Sequence, residues 1–449
     1  MAQPAAGLAR SRISIGVRFT LNSKFARSYL RMARAKRRSC KANSVWYKLS
    51  LPIPRGGKAL TTHTTGFLGS DLRTPSHRSL VSSSVAAIAK TRAFRGACLA
   101  LLFLCSVAAA HAQNTVSVYE PDSGYYLRKT YAVKAIEGSS QEYFSGITVD
   151  APARRIYVAH GTELQVMDAD SGAVVGTIPG FTQNDGIAIA SDLGRGFITD
   201  RAQAKVVIFD LTTLKALGEA KTDAGVTNAI YDPASKRIFT LNGESHSSTV
   251  IDATSGKVLK TIDLGGVPEG AVADENGTIY ASVLDKNEIA VIDSRALTIK
   301  ARWPVAPAEA PSALSIDRQH RRLFTAGRNL QALVVMDADT GKVVQALGIT
   351  ANAGASAYDA ETGLLFVSTG EGVVHIFHED SPNKFSALEA LITEYGAKTM
   401  SLDAKTHSLY LDTANFDPPP FFTEAPMRQP APVPGTLHVL VYGKFGGDY

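Results

Sequence analysis

From Gln113 to Tyr449 the sequence has no cysteine; all three lie earlier, at Cys40, Cys98 and Cys105. That excludes a disulfide framework, thiolate catalysis and a Cys-x-x-Cys-His haem attachment from this part of the chain. Nucleotide and acyl-transfer signatures are missing too. No Gly-x-Gly-x-x-Gly opens a helix, no P-loop is present, and no Gly-x-Ser-x-Gly elbow occurs. No segment after Gln113 keeps a helical period. Acidic residues are nearly absent from the front: residues 1–112 hold 19 of the 47 Lys and Arg and a single acid, Asp71.

That asymmetry decides how the charge is read. The total of +6 hides 28 basic against 40 acidic residues from Gln113 onward, a net of about −12. The basic pI belongs to the front, and the acidic remainder argues against nucleic acid as a partner. Residues 1–88 are Arg- and Ser-rich without a persistent apolar period, and they bury too little to offset the entropy of ordering. A basic disordered extension is expected there, arising from a mis-assigned start (with Val81 or Val85 at the true start) or from a targeting segment. Residues 89–112 have the order of a secretory signal peptide. Lys90, Arg92 and Arg95 precede the apolar run Ala97–Ala109, and Ala110-His111-Ala112 is a small-x-small cleavage site before Gln113. The run is short for a membrane span. A periplasmic or secreted mature chain, residues 113–449, without a stable membrane span, is the expectation.

What is present after Gln113 is repetition. An apolar-aromatic element recurs as RRIYVAH, RGFITD, KRIFTLN, GTIYASV, RRLFTAG, GLLFVST and HSLYLDT. Its aromatic falls at Tyr157, Phe197, Phe239, Tyr280, Phe324, Phe366 and Tyr410, at spacings of 40, 42, 41, 44, 42 and 44. Each unit reads as four strands. In the third they are Asn228–Asp232, RIFTL, STVIDA and KVLKTIDL, with β-branched and aromatic content and hairpin-type turns between them. Four strands per 40–45 residues predict an all-β, seven-bladed β-propeller of antiparallel blades. The seventh unit supplies only three strands, near Thr399–Asp403, Ser408–Thr413 and Thr436–Gly443. The segment Tyr125–Val133 is expected to complete it, so that the N-terminal strand of the mature chain closes the ring.

A second motif recurs as VMDADSGAVV, VIDATSGKVL and VVMDADTGKVV. Its Asp-x-Asp-x-Gly invites a calcium loop. Yet the twelfth position from Asp168 is Pro179 and from Asp337 is Gly348, neither able to give the carboxylate such a loop needs. A hairpin turn between the third and fourth strands is the better reading, with Asp capping it and Gly172, Gly256 and Gly341 left-handed. Together the IYVAH and LFVST elements and V-x-D-x-x-[ST]-G-K-V resemble the YVTN-type propeller repeat, closest to the secreted, bacterial YncE-like seven-bladed family. The resemblance covers nearly all of Gln113–Lys444. It implies a binding or scaffold protein, some relatives having a proposed DNA contact. The Asn that ends the namesake motif is met only at Asn242, so no site carries over. The WD and GH dipeptides of WD40 blades are absent. Quinone-cofactor propellers usually carry a tryptophan in each blade, whereas only Trp303 follows Gln113. No cofactor and no metal is assigned. His375 and His378, three apart on a strand, are expected to face opposite sides.

Geometry supplies the candidate site. First strands line a propeller's channel, and their starts ring its mouth. The aligned residues are Ser145, Asp185, Thr227, Glu269, Ser312, Gly354 and Lys398, all polar except the glycine. Loops between second and third strands add His160, Arg201, His246, Lys286 and Arg328 on the same face. A proline-rich insertion in the seventh unit, Asn415–Gly435, is expected to follow an extended polyproline-like path and to offer Phe416, Phe421 and Phe422 to a partner. The expectation is a monomeric binding scaffold that engages an unidentified small-molecule ligand or protein partner at the mouth. The alternative is a hydrolase such as a lactonase, with Asp185 or Glu269 as general base.

Overall fold

The computed structural model describes residues 123–138, 143–417 and 430–444. The chain divides into two units, Met1–Thr115 and Val116–Tyr449, and every described residue lies in the second. The expected basic extension, signal peptide and cleavage site fall outside the described residues.

The described residues form seven four-stranded antiparallel sheets. Blade 1 consists of Gly146–Asp150, Arg155–His160, Glu163–Asp168 and Val174–Pro179, here called strands a to d from the channel outward. Blades 2 to 6 repeat this order over 184–221, 226–263, 268–304, 311–348 and 353–392. Blade 7 takes strands a to c from Met400–Asp403, Ser408–Thr413 and His438–Lys444, and its outermost strand is Tyr125–Ala132, paired antiparallel from Tyr125 opposite Lys444 to Ala132 opposite His438. The N-terminal strand therefore closes the ring as the repeat count required. Each strand a packs against the strands a of both neighbouring blades, blade 7 against blade 1 included.

The core is divided among the seams. Seven buried apolar clusters are present, and each draws on two adjacent blades. The aromatics that first marked the repeat sit third in each strand b. All are at most 2% exposed and face the next blade round the ring. Burying one such ring stabilises by roughly 1.5–3 kcal/mol. The closing strand serves both seams of blade 7. Tyr125 meets Phe366 edge-on at 5.1 Å on one side, and Tyr131 joins the blade 1 cluster on the other.

The recurring aspartate motif is a turn. Asp168 Oδ1 accepts from the amides of Asp170 and Ser171 and from the Ser171 hydroxyl, at 3.2, 2.8 and 2.7 Å. Asp210, Asp252 and Asp337 cap their c–d turns the same way. These hydrogen bonds hold Asp168, Asp210 and Asp252 below the usual carboxylate range. Gly341 has φ +72°, and a Cβ there would stand 2.2 Å from the Trp303 ring of the preceding blade. Its hydrogen thus satisfies both a left-handed turn and an aromatic lying over it. Short arginine tethers reinforce the seams. Arg195 Nη1 donates to the Ala253 carbonyl and Arg237 Nη1 to the Arg295 carbonyl, each on the next blade's c–d turn.

Candidate functional site

Strand a opens with a β-bulge in blades 2 to 6. Pairing slips between Asn184 and Ile187, Val226 and Asn228, Pro268 and Ala271, Pro311 and Ala313, and Ala353 and Ala355. The mouth positions Asp185, Thr227, Glu269, Ser312 and Gly354 are the residues inside these bulges. A bulge leaves a residue unpaired and re-aims its side chain, which is how blades 2 to 5 each turn one side chain toward the rim. The glycines beside them let the blades close up. A Cβ on Gly146 would be 2.6 Å from the Asp185 carbonyl oxygen, on Gly270 2.2 Å from that of Ser312, and on Gly354 2.4 Å from that of Lys398.

The ring residues divide into two kinds. Ser145, Thr227 and Ser312 spend their hydroxyls on backbone carbonyls, of Asn184, Leu241 and Ala353, and Ser312 is only 2% exposed. They stitch the rim. Asp185, Glu269, Arg328, Arg201 and Lys398 carry its charge. Glu269 in blade 4 pairs with Arg328 in blade 5 across their seam, and Arg201 pairs with Glu244 at 3.3 Å. Lys398 is exposed. Asp185 is 8% exposed, and its Oδ2 lies 3.5 Å from the Tyr143 hydroxyl. Burial raises its pKa to about 7; Ser145, Arg201 and Tyr143 pull it down while Glu269 pushes it up. Tyr143 is raised as well, by burial and then by Asp185. Beside this pair lies a cavity of about 540 Å³ lined by Tyr143, Thr162, Thr182, Gln183 and Ala202, among others. Its wall is braced by Asp200, whose carboxylate accepts the Thr182 and Gln183 amides at 2.9 and 3.1 Å. A larger cavity of about 630 Å³ lies away from the mouth at the seam of blades 7 and 1. There Arg154 is held by Asp170 and Asp403, so that cavity is a seam feature.

Several expected residues stand elsewhere than in the open mouth. His160 is 2% exposed, with its ring 3.3 Å from Gln165 Nε2 between strands b and c. His246 is exposed, but as a turn residue with φ +55°. Lys286 neighbours Asp285 at 3.4 Å. Phe416 is not a free apolar handle: its ring meets Tyr395 edge-on at 5.0 Å and covers Gly396. The insertion begins and ends in a two-stranded ladder, Phe416 opposite Pro432 and Asp417 opposite Ala431, where a polyproline-like path had been expected. Phe421 and Phe422 lie outside the described residues. His375 and His378 do face opposite sides. His375 Nε2 accepts from the Thr350 amide at 2.9 Å, and His378 is exposed beside Asp380.

One group at the mouth escaped sequence reasoning. In blades 2, 4 and 6 the fifth residue of strand b is Thr199, Ser282 or Ser368, whose hydroxyl bonds the bulge backbone. Blade 7 has Asp412 there. It is fully buried, neither oxygen reaches a partner in another residue, and burial raises its pKa to about 7 against the pull of Lys398. Aligning the repeats column by column exposes it as the one acid in a column otherwise of small hydroxyl or apolar residues, Ala159, Leu241 and Ala326 filling blades 1, 3 and 5.

A closed ring of seven antiparallel blades with a bulge-lined polar rim defines a seven-bladed β-propeller. Within that class the chain is similar to an uncharacterised protein, YncE, of Salmonella typhi, 23% identical over 166 residues that span 35% of this chain and 47% of the relative. With the repeat chemistry, this supports kinship with the YncE-like propellers. The aligned region is thus about half the length of that relative. Among solved structures, the WD40 repeats of RRP9 match with TM-score 0.57 at 10% identity, and U3-55K with 0.58 at 9%. Hydrazine synthase of Kuenenia stuttgartiensis matches with 0.56 at 13%; the three cover 70%, 72% and 70% of this chain and 99% of each neighbour. At such identities the likeness is one of fold. No protein-family model matches the chain.

Proposed function

We propose that this propeller is a periplasmic or secreted binding scaffold whose channel mouth takes a small polar ligand or the tip of a protein partner. The observation that supports it most is the Asp185–Tyr143 pair beside the 540 Å³ cavity, a buried acid and a half-buried phenol at the edge of an otherwise stitched rim. Glu269–Arg328 and Arg201 add donors and acceptors of both signs, which suits a polar or zwitterionic ligand. Export rests on the order of residues 89–112, and mass spectrometry of the mature chain should find Gln113 at its N-terminus. Among the described residues no helix is long and apolar enough to cross a membrane. Binding is tested by native mass spectrometry of the purified chain against a periplasmic small-molecule extract. A retained ligand should be lost in Asp185→Ala and in Tyr143→Phe; a ligand kept by both variants places recognition elsewhere.

A hydrolase is the second reading, and one observation favours it. An acid poised near pH 7 is what a general base requires, and Glu269 adds to that poise. A panel of chromogenic esters and lactones tests it. The reading calls for kcat/KM rising through an apparent pKa near 7 and abolished in Asp185→Asn. Turnover indifferent to that substitution would end it.

A further inference from the structure

Away from the mouth, three donors converge on the seam of blades 5 and 6. Asp317 ends strand a of blade 5, and His320 follows in its a–b turn. Glu379 comes from strand c of blade 6, Val373–Ser381. His320 Nδ1 lies 2.8 Å from Asp317 Oδ2 and 2.9 Å from Glu379 Oε1. The carboxylate side chains are buried, 1% and 6% exposed, while the imidazole is 37% exposed.

A single ring nitrogen cannot serve both oxygens with one hydrogen. Its N–H direction suits Asp317, and Glu379 Oε1 is left buried, aimed at the nitrogen and without a hydrogen bond. The outer atoms are fixed independently. Asp317 Oδ1 accepts the amides of Gln319 and His320 at 2.9 and 3.3 Å, and Glu379 Oε2 accepts the Tyr358 hydroxyl. Each carboxylate therefore presents one oxygen inward with its other oxygen already held, as ligand carboxylates are held by their surroundings. Asp359 adds negative charge nearby, and its own partner is His407, at 2.7 Å. Arg322, which opens the following strand, is committed to Asp337 and Asn383.

We propose that Asp317 Oδ2, His320 Nδ1 and Glu379 Oε1 bind a divalent first-row transition cation, zinc being the fitting case, which ties blade 5 to blade 6. One imidazole and two carboxylates form a borderline donor set that suits zinc better than calcium or magnesium. Donors about 2.0–2.2 Å from a tetrahedral cation stand about 3.3–3.6 Å apart, so the 2.8 and 2.9 Å separations need to open by about half an ångström. The exposed edge of His320 leaves the fourth position to water.

The test uses the full chain, untagged and chelator-stripped, titrated with cobalt and zinc and followed by visible spectroscopy, calorimetry and metal analysis. About one equivalent should bind, with tetrahedral cobalt bands and a zinc-dependent rise in melting temperature. His320→Ala and Glu379→Gln should each weaken binding by roughly 100-fold or more. Glu379→Gln keeps the volume and a Tyr358 contact, so it preserves folding where a larger change fails. His378→Ala, which breaks the exposed His378–Asp380 pair on the same strand, should leave binding unchanged. No stoichiometric cobalt spectrum, binding that survives Glu379→Gln, or binding lost in His378→Ala would overturn the proposal, leaving an imidazole hydrogen-bonded between two carboxylates.

Discussion

Asp185 and Asp412 share one chemistry, a carboxyl kept from water, in two settings. For both, the folded pKa near 7 stands above the unfolded value, so folding favours the protonated form. Their contribution is complete below about pH 4 and is lost as pH rises through 7. At pH 8 the ionised, unpartnered Asp412 costs a few kcal/mol, because each tenfold change in proton affinity is worth roughly 1.4 kcal/mol. Asp412→Ser, which restores the hydroxyl found in blades 4 and 6, should therefore raise the melting temperature at pH 8 and change little at pH 4. Equal effects at both pH values in calorimetry would show that packing, not ionisation, governs the site. Below about pH 4 the trend reverses, because the turn aspartates held low by their hydrogen bonds then take up protons. Urea denaturation should find greatest stability near pH 4. The sequence disclosed that Asp185 was at the rim but not its state. Its pKa depends on a depth of burial and on Tyr143, a residue outside the repeat.

Among elements, the c–d turn shows best how much can be read from letters alone. Asp, Ser or Thr, and Gly at fixed offsets specify a capped left-handed turn, and that is what Asp168 and Gly172 build. The letters do not say which ring lies over the glycine, since Trp303 comes from the preceding blade. Gly341→Ala should cost more than about 2 kcal/mol, about 1 from the left-handed backbone and the rest from the displaced indole. Gly256→Ala meets only Ile208 Cδ1 at 2.7 Å, the far end of a flexible chain. Its cost should be clearly smaller in the same denaturation experiment. Strand a was legible as a strand, and its bulge was not. A bulge is a mismatch of register between two strands, and neither strand alone records it. At the described ends of the insertion the prolines did not announce that the two ends pair or that Phe416 finds an aromatic partner. The Asp317–His320–Glu379 cluster was invisible because its third member comes from another blade.

The whole molecule was legible because a ring of equal units repeats its message, and seven aromatics at one period leave few other folds. Closure was legible as a shortage, a seventh blade with three strands and a spare strand near Tyr125. Removing residues 123–133 from the full chain should uncover strand His438–Lys444 as an edge and take Tyr125 and Tyr131 from two seams. The shortened chain should self-associate and melt at least about 10 °C lower, by light scattering and calorimetry. A monomer of unchanged stability would mean that this strand is dispensable. The pairing of Tyr125 with Lys444 also sets a clock. During translation the first strand of the propeller emerges early and waits for a partner encoded about 300 residues later. Until that partner emerges the growing chain cannot lock, whatever its blades have already achieved. A delay of this kind keeps the propeller open until its last blade is made, and slow codons or a stalled ribosome near that blade would lengthen the exposure of an unpaired strand.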